Sequence, residues 1–287
     1  MIPSIPAIPT IPGLAMALLL TTATVCGLLA LIVVAERIIR TALAHREEKR
    51  RDRVRPHILT IVDGDTPATL PRRDRAALSR LVADTASQVR GEDREALTQW
   101  LIGQQFHRAH LRRMKSPFAL TRARALDRFA PIAEHAPRSI ERMLGDRDLR
   151  VRSLAAQVAG RSGMAALVPE LLRRTEGTRV IPARIISMAV LRAAPSSIAE
   201  FGDTVTDSNH RVRALALDLA GQLNLVDARR AIEAGLDSPS ADVRMASVRS
   251  IQRLGSPLSL AALKRMETQS PEELFHTEVV IHELTVG

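Results

Sequence analysis

Apolar residues fall along this chain in two different rhythms. From Leu14 to Ala35 runs an unbroken stretch of 22 residues without a charge. At 1.5 Å per residue it would span about 33 Å as a helix, enough for the roughly 30 Å hydrocarbon core of a bilayer. Beyond Phe118 the rhythm is short strings of small and aliphatic residues, each set behind an Asp-rich turn. Val151-Arg152, Val212-Arg213 and Val243-Arg244 open these strings, 61 and 31 positions apart, and Pro182-Ala183 in the empty slot gives steps of 31, 30 and 31. A period of this length means one supersecondary unit stacked on copies of itself, since one unit alone cannot bury its apolar face.

The fold class that follows is all-α: a single N-terminal transmembrane helix, then a solenoid of helical pairs. The boundaries read from the pattern are a Pro-rich extracytoplasmic leader over 1–13, the membrane helix over 14–35 and a basic juxtamembrane segment over 36–56. A helical preface over 57–117, repeats over 118–265 and a capping helix over 266–287 complete the plan. The leader places Pro3, Pro6, Pro9 and Pro12 every third residue, a polyproline-II spacing. It holds no Lys or Arg, unlike the start of a signal peptide, so the anchor reads as uncleaved. Val25 before Cys26 is too bulky for a lipoprotein cleavage site. Basic residues gather only after the span, with Arg37, Arg40, Lys49, Arg50 and Arg51 facing a membrane surface. The positive-inside rule then leaves the N-terminus outside and the solenoid cytoplasmic, on the inner membrane of the cell. Anionic lipid head groups are the expected partner of that segment, at about 1 kcal/mol per basic residue near the surface.

The preface shows helical periodicity. Pro56 opens a helix that would bury Ile58, Leu59, Ile61 and Val62; Ala77, Leu78, Leu81, Val82 and Thr85 mark a second, and Leu97, Trp100 and Leu101 a third. Asp63 and Asp65 flank a Gly turn without the αβ framework of a nucleotide site. His107 and His110 are spaced for a shared metal, but Arg108, Arg112, Arg113 and Lys115 surround them, so they read as a solvated basic face. His276, His282 and Glu283 lack the spacing of a zinc motif. In the repeats Leu215 is read as core, and Gly160, Gly221 and Gly255 as helix ends. Ser270-Pro271-Glu272-Glu273 is a capping box with Pro at the first helical position.

Asp-x-x-x-x-Val-Arg-x-x-Ala, as in Asp207 to Ala216 and with one residue more or less in Asp146 to Ala155 and Asp237 to Ala246, resembles the short bacterial HEAT repeat of the phycobilisome-lyase-like type. The likeness covers residues 118–265. It implies that Asp146, Arg152, Asp207, Arg213, Asp237 and Arg244 are structural, forming ion-pair and hydrogen-bond ladders between neighbours. Pro182 and Ala183 replace Val-Arg in the third unit, so the ladder should break there.

Composition narrows the function. A net charge of +10 invites nucleic acid as a partner, but aromatic residues make up only 2% of the chain, so stacking platforms are scarce and nucleic acid is disfavoured. One Cys excludes a disulfide framework within one chain. No nucleophile–base set, phosphate-binding Gly loop or metal cluster stands out, so no catalytic, cofactor or metal residues are assigned. The expectation is a non-enzymatic, membrane-tethered scaffold that docks a protein partner through Arg173, Arg174, Arg184 and Arg192. The resemblance implies an accessory role beside a membrane glycosyltransferase that makes surface polysaccharide. The alternatives are an Arg-rich nucleic-acid-binding solenoid and a HEAT-type lyase or glycosylase.

Overall fold

The computed structural model describes residues 11–65 and 70–286, all helices and connecting turns with no strand among them. The first three leader prolines lie outside the described residues. The chain divides into two compact units, Met1–Leu81 and Val82–Gly287.

The first unit is dominated by α1, Ile11–Val54, a 44-residue helix that takes in both the apolar run and the basic segment after it. Among the described residues the side chains of its apolar run are all exposed, Leu18 at 71% and Val34 at 52%, and burial begins only at its last residue, Val54. Among the described residues α1 is the one helix long and apolar enough to cross a membrane. A helix apolar on all sides and unburied needs an apolar solvent. The short helix α2 (His57–Val62) buries only Ile61, and Leu59 is 69% exposed, so the expected four-residue core face is corrected to one residue. Six residues are too few for a helix to present such a face. Helix α3, Arg72–Ala86, buries Ala77, Leu78, Leu81 and Val82 as its periodicity predicts.

In the second unit α4 (Glu92–Gly103) and α5 (Phe106–Arg113) precede the stacked pairs. The pairs are α6 (Ala119–Phe129) with α7 (Pro137–Leu144), and α8 (Leu149–Arg161) with α9 (Val168–Arg173). Next come α10 (Ala183–Ala193) with a kinked 3-10 segment over Ile198–Thr206, and α11 (His210–Gln222) with α12 (Arg229–Gly235). Finally α13 (Ala241–Leu254) pairs with α14 (Leu260–Arg265), and α15 (Pro271–Val286) follows. Pro182 is the N-cap of α10, so the empty slot in the period is filled by a helix of the same kind.

Two glycines set how tightly the stack closes. Neither Gly160 nor Gly221 ends a helix, as the sequence reading had it; both lie buried in the last turn of a first helix, against the next. A Cβ on Gly160 would meet the Ala189 carbonyl oxygen at 2.6 Å, and one on Gly221 would meet Ser250 Cα at 2.7 Å. Counting from the repeated arginine position, α10 carries Leu191 in the same place. Far fewer residues of α10 and α11 approach one another than of α8 and α10 or of α11 and α13. Bulk at that position holds the third unit away from the fourth. Gly255, by contrast, does terminate its helix, with φ +59°.

Leu215 is half-exposed, whereas Ala216, Leu217 and Leu219 are buried, so the core register of α11 lies next to the expected one. A first helix packs against neighbours on more than one side, which blurs a single apolar stripe.

Gly221→Ala should force α13 outward and cost about 1–3 kcal/mol, the usual penalty for overpacking. Denaturant unfolding measures it, and a change below about 0.5 kcal/mol, the scale of an ordinary surface substitution, would contradict the close approach.

Candidate functional site: arginines engaged and unengaged

Arginine is charged at every accessible pH, so each buried guanidinium must find acceptors. Near the start of the first helices the same position holds Arg122, Arg152, Arg213 and Arg244, with Ala183 in the third unit. Arg122 forks onto Asp146 of the next repeat, Nε to Oδ2 at 2.8 Å and Nη2 to Oδ1 at 2.7 Å, while Nη1 donates to the Ser116 and Pro117 carbonyls. Arg152 donates to its own turn at Asp146 O and reaches Val180 O at 3.0 Å, since Gly177 stands where the next repeat would offer a carboxylate. Arg213 has only the Ala234 carbonyl at 3.2 Å. Arg244 donates to Ser238 O and closes on Glu273 at 2.6 Å, both side chains under 5% exposed. The ladder is therefore ionic at its two ends and carbonyl-mediated in the middle.

Burial pushes the Asp146 and Glu273 carboxyls up, but Arg122 and Arg244 outweigh it and hold both below their usual values. Glu273 does double duty at the start of α15, taking Gln269 N–H at 2.9 Å with its other oxygen. Of the expected capping box, Ser270 Oγ takes the Glu273 N–H at 3.2 Å, but the glutamate returns to Gln269 and not to Ser270, and its place as the ladder's last acceptor was not legible. Asp207 takes the Asn209 N–H at 2.8 Å and shapes a turn, and Asp237 is exposed.

A second row of arginines stands in the last turns of the first helices. Arg161, Arg192, Gln222 and Arg253 recur at 31, 30 and 31 positions. The carboxylate that serves this row lies four residues earlier in the preceding first helix. Asp127 faces Arg161 at 3.8 Å, and Asp218 holds Arg253 at 2.8 Å. The corresponding residue for Arg192 is Gln157, and Arg192 has no hydrogen-bond or ion-pair partner among the described residues. It lines a cavity of about 360 Å³ together with Arg90, Arg94, Arg161, Pro131 and Ser162, and no carboxylate lines it. Arg94 pairs with Glu134 at 2.7 Å; Arg90, like Arg192, has no hydrogen-bond or ion-pair partner among the described residues.

Of the four arginines expected to bind a partner, Arg173 pairs with Asp203, and Arg174 donates through Nε to Glu170 at 2.8 Å. Arg184 and Arg192 are exposed and unpaired among the described residues, and only Arg192 reaches the cavity. Sequence reasoning missed Arg90, Arg94 and Arg161; the 31-residue recurrence of the last-turn basic residue was the signal that could have found Arg161. Arg37, Lys49 and Arg51 lie exposed on α1, Arg50 is partly covered, and Arg40 pairs with Glu36.

His110 corrects a further expectation. It is 5% exposed, not solvated, and its ring centroid lies 4.3 Å from that of Phe106. Burial, with Arg113 and Arg128 adding repulsion, lowers its pKa from 6.5 to about 4. The unfolded chain takes up a proton near pH 6.5 that the folded chain refuses, so this stability is complete above 6.5 and is lost as pH falls toward 4. Wild type should lose about 1–2 kcal/mol between pH 6.5 and 5 in denaturant unfolding, and His110→Leu should lose much less. Parallel pH slopes for the two proteins would contradict this.

A family model described as HEAT repeats matches residues 198–279. No curated protein matches the chain. Among solved structures, human deoxyhypusine hydroxylase in complex with glycerol is similar at 15% identity, with 84% of this chain and 98% of that chain covered and a TM-score of 0.27. That structure is an enzyme, so the expectation of a non-catalytic scaffold and glycosyltransferase accessory, and with it the exclusion of an enzyme, is withdrawn. The physical reason is that stacked helical pairs carry catalytic and binding sites alike. At this TM-score the likeness assigns no activity to the present chain. The described residues thus form an all-helical stack of pairs in which residues 198–279 match HEAT repeats.

Proposed function

We propose that this protein is held at a membrane by α1 and binds a polyanionic macromolecule along residues 90–194 of its helical-pair unit. The observation that carries the reading is the cavity lined by Arg90, Arg94, Arg161 and Arg192 without a carboxylate. Its surroundings share the bias. Between Gln104 and Ala194 there are 18 Lys and Arg against 7 Asp and Glu, whereas from Pro195 to Gly287 there are 9 against 13. A charge difference of this kind along one solenoid steers an anionic partner toward one part of it. Planar guanidinium forks match carboxylate and phosphate oxygens two at a time. Arg184 extends the unpaired set, and Arg173 and Arg174 add charge beside it while engaged with Asp203 and Glu170. The repeats fit the short phycobilisome-lyase-like type. Arg37, Arg40, Lys49, Arg50 and Arg51 follow the apolar stretch, and the positive-inside rule then puts the repeats on the cytoplasmic side of the inner membrane, with those residues at anionic head groups.

The test uses the full-length protein in detergent with two polyanions, a 20-base-pair DNA duplex of mixed sequence and polyglutamate. The expected result is binding of at least one, weakening steeply with salt, and about tenfold weaker binding by Arg90→Glu/Arg192→Glu. Arg230→Glu/Arg265→Glu, in the acidic part, should bind like wild type. Which polyanion binds assigns phosphate or carboxylate chemistry to the partner. Binding of neither, or equal losses in the two double variants, would overturn the reading.

A further inference from the structure

A second cavity lies between α5 and α6. It has a volume of about 220 Å³ and is lined by His110, Arg113, Thr121, Ala125, Arg124 and Arg128, again with no carboxylate. Arg124 and Arg128 are one turn apart on α6, where two like charges repel each other. None of the three arginines has a hydrogen-bond or ion-pair partner among the described residues. The nearest acid in sequence, Asp127, faces Arg161 instead. His110, at 5% exposure, lines the same cavity and its Nδ1 has no hydrogen-bond partner. An orphaned nitrogen on a buried ring is uncommon in a folded protein and calls for an explanation at the site. Three unpaired guanidinia around it name the sign of what is missing.

We propose that this cavity is a binding site for one phosphate group, gripped by Arg113, Arg124 and Arg128 with the Thr121 hydroxyl and His110 as further donors. At about 220 Å³ it falls below the roughly 300–1,000 Å³ of pockets that hold drug-sized ligands, and so suits an ion-sized group. The charged groups lining the cavity beside His110 are Arg113 on its own helix and Arg124 and Arg128 from α6, and burial, with repulsion from Arg113 and Arg128, favours the neutral ring. A dianion among them reverses that balance and lets the imidazolium donate to it. This site lies in the same basic part of the solenoid as the cavity at Arg192 but shares no lining residue with it, so the two are tested separately. The phosphate is either a free one or part of a polymer backbone.

The test is titration of full-length protein in detergent with inorganic phosphate, read by calorimetry and by thermal shift, with chloride at matched ionic strength as the blank. Wild type should bind phosphate and be stabilised by it, while Arg124→Gln/Arg128→Gln should bind at least about tenfold more weakly. Arg90→Gln/Arg192→Gln should bind phosphate normally, which separates this site from the polyanion surface. Calorimetry at pH 6 in two buffers of different ionisation enthalpy should show proton uptake that the Arg124→Gln/Arg128→Gln variant lacks. If free phosphate has no effect but duplex DNA requires Arg124 and Arg128, the site holds a backbone phosphate. If neither probe depends on these two residues, or chloride reproduces the stabilisation, His110 is a core residue stacked on Phe106 and the proposal falls.

Discussion

A buried guanidinium near the start of a first helix, as at Arg122, Arg152 and Arg244, is the constraint on which the stack depends. It cannot lose its charge, and leaving it unpaired inside the protein would cost several kcal/mol. Each one therefore needs acceptors, and most find them in two places at once. Arg122 and Arg244 fasten the turn before their own helix by its carbonyls and the following element by a carboxylate. Arg152 does the same with the Val180 carbonyl in place of an acid. Helical pairs have no hydrogen-bonded ladder like that of a sheet, so these forks set the register from one repeat to the next. Apolar burial and the close approaches at Gly160 and Gly221 then tighten a stack already in register.

Much of this was legible in the sequence because it recurs. The 31-residue step located the first helices, and the unit that lacks Val-Arg was identified as the irregular one. Its irregularity has a cause the period did not reveal. Leu191 occupies the position held by Gly160 and Gly221, so the third and fourth units cannot close as tightly. The glycines were mistaken for caps because a glycine near a helix end fits both roles, and only the neighbouring backbone decides between them. Glu273 escaped notice as a ladder acceptor because it lies in a non-repeated helix. Leu215 was placed in the core because apolar residues occupy more than one side of α11. His110 was misread because the arginines beside it in sequence suggest solvent, whereas its ring is buried against Phe106 one turn earlier.

The candidate site was harder to see. An arginine looks the same in sequence whether it is engaged or not. What distinguishes Arg192 is that Gln157 has replaced the acid that Arg161 and Arg253 each retain. Arg173 and Arg174, equally prominent in sequence, meet Asp203 and Glu170. The proposed function thus rests on a division within one residue type: some arginines bind the repeats to each other, and others, such as Arg192, lack an acid to pair with. That division does not depend on whether the solenoid also performs chemistry.

The most direct test compares one arginine from each group in a single pair of measurements. Arg122→Met and Arg192→Met are made in the full-length protein, and denaturant unfolding and polyanion binding are measured for both. Arg122→Met leaves Asp146 buried without its cation and should cost about 3–5 kcal/mol of stability. Arg192→Met should unfold within about 0.5 kcal/mol of wild type while binding the polyanion several-fold more weakly. Equal stability for the two variants, or undiminished binding by Arg192→Met, would contradict the division of arginines on which the account rests.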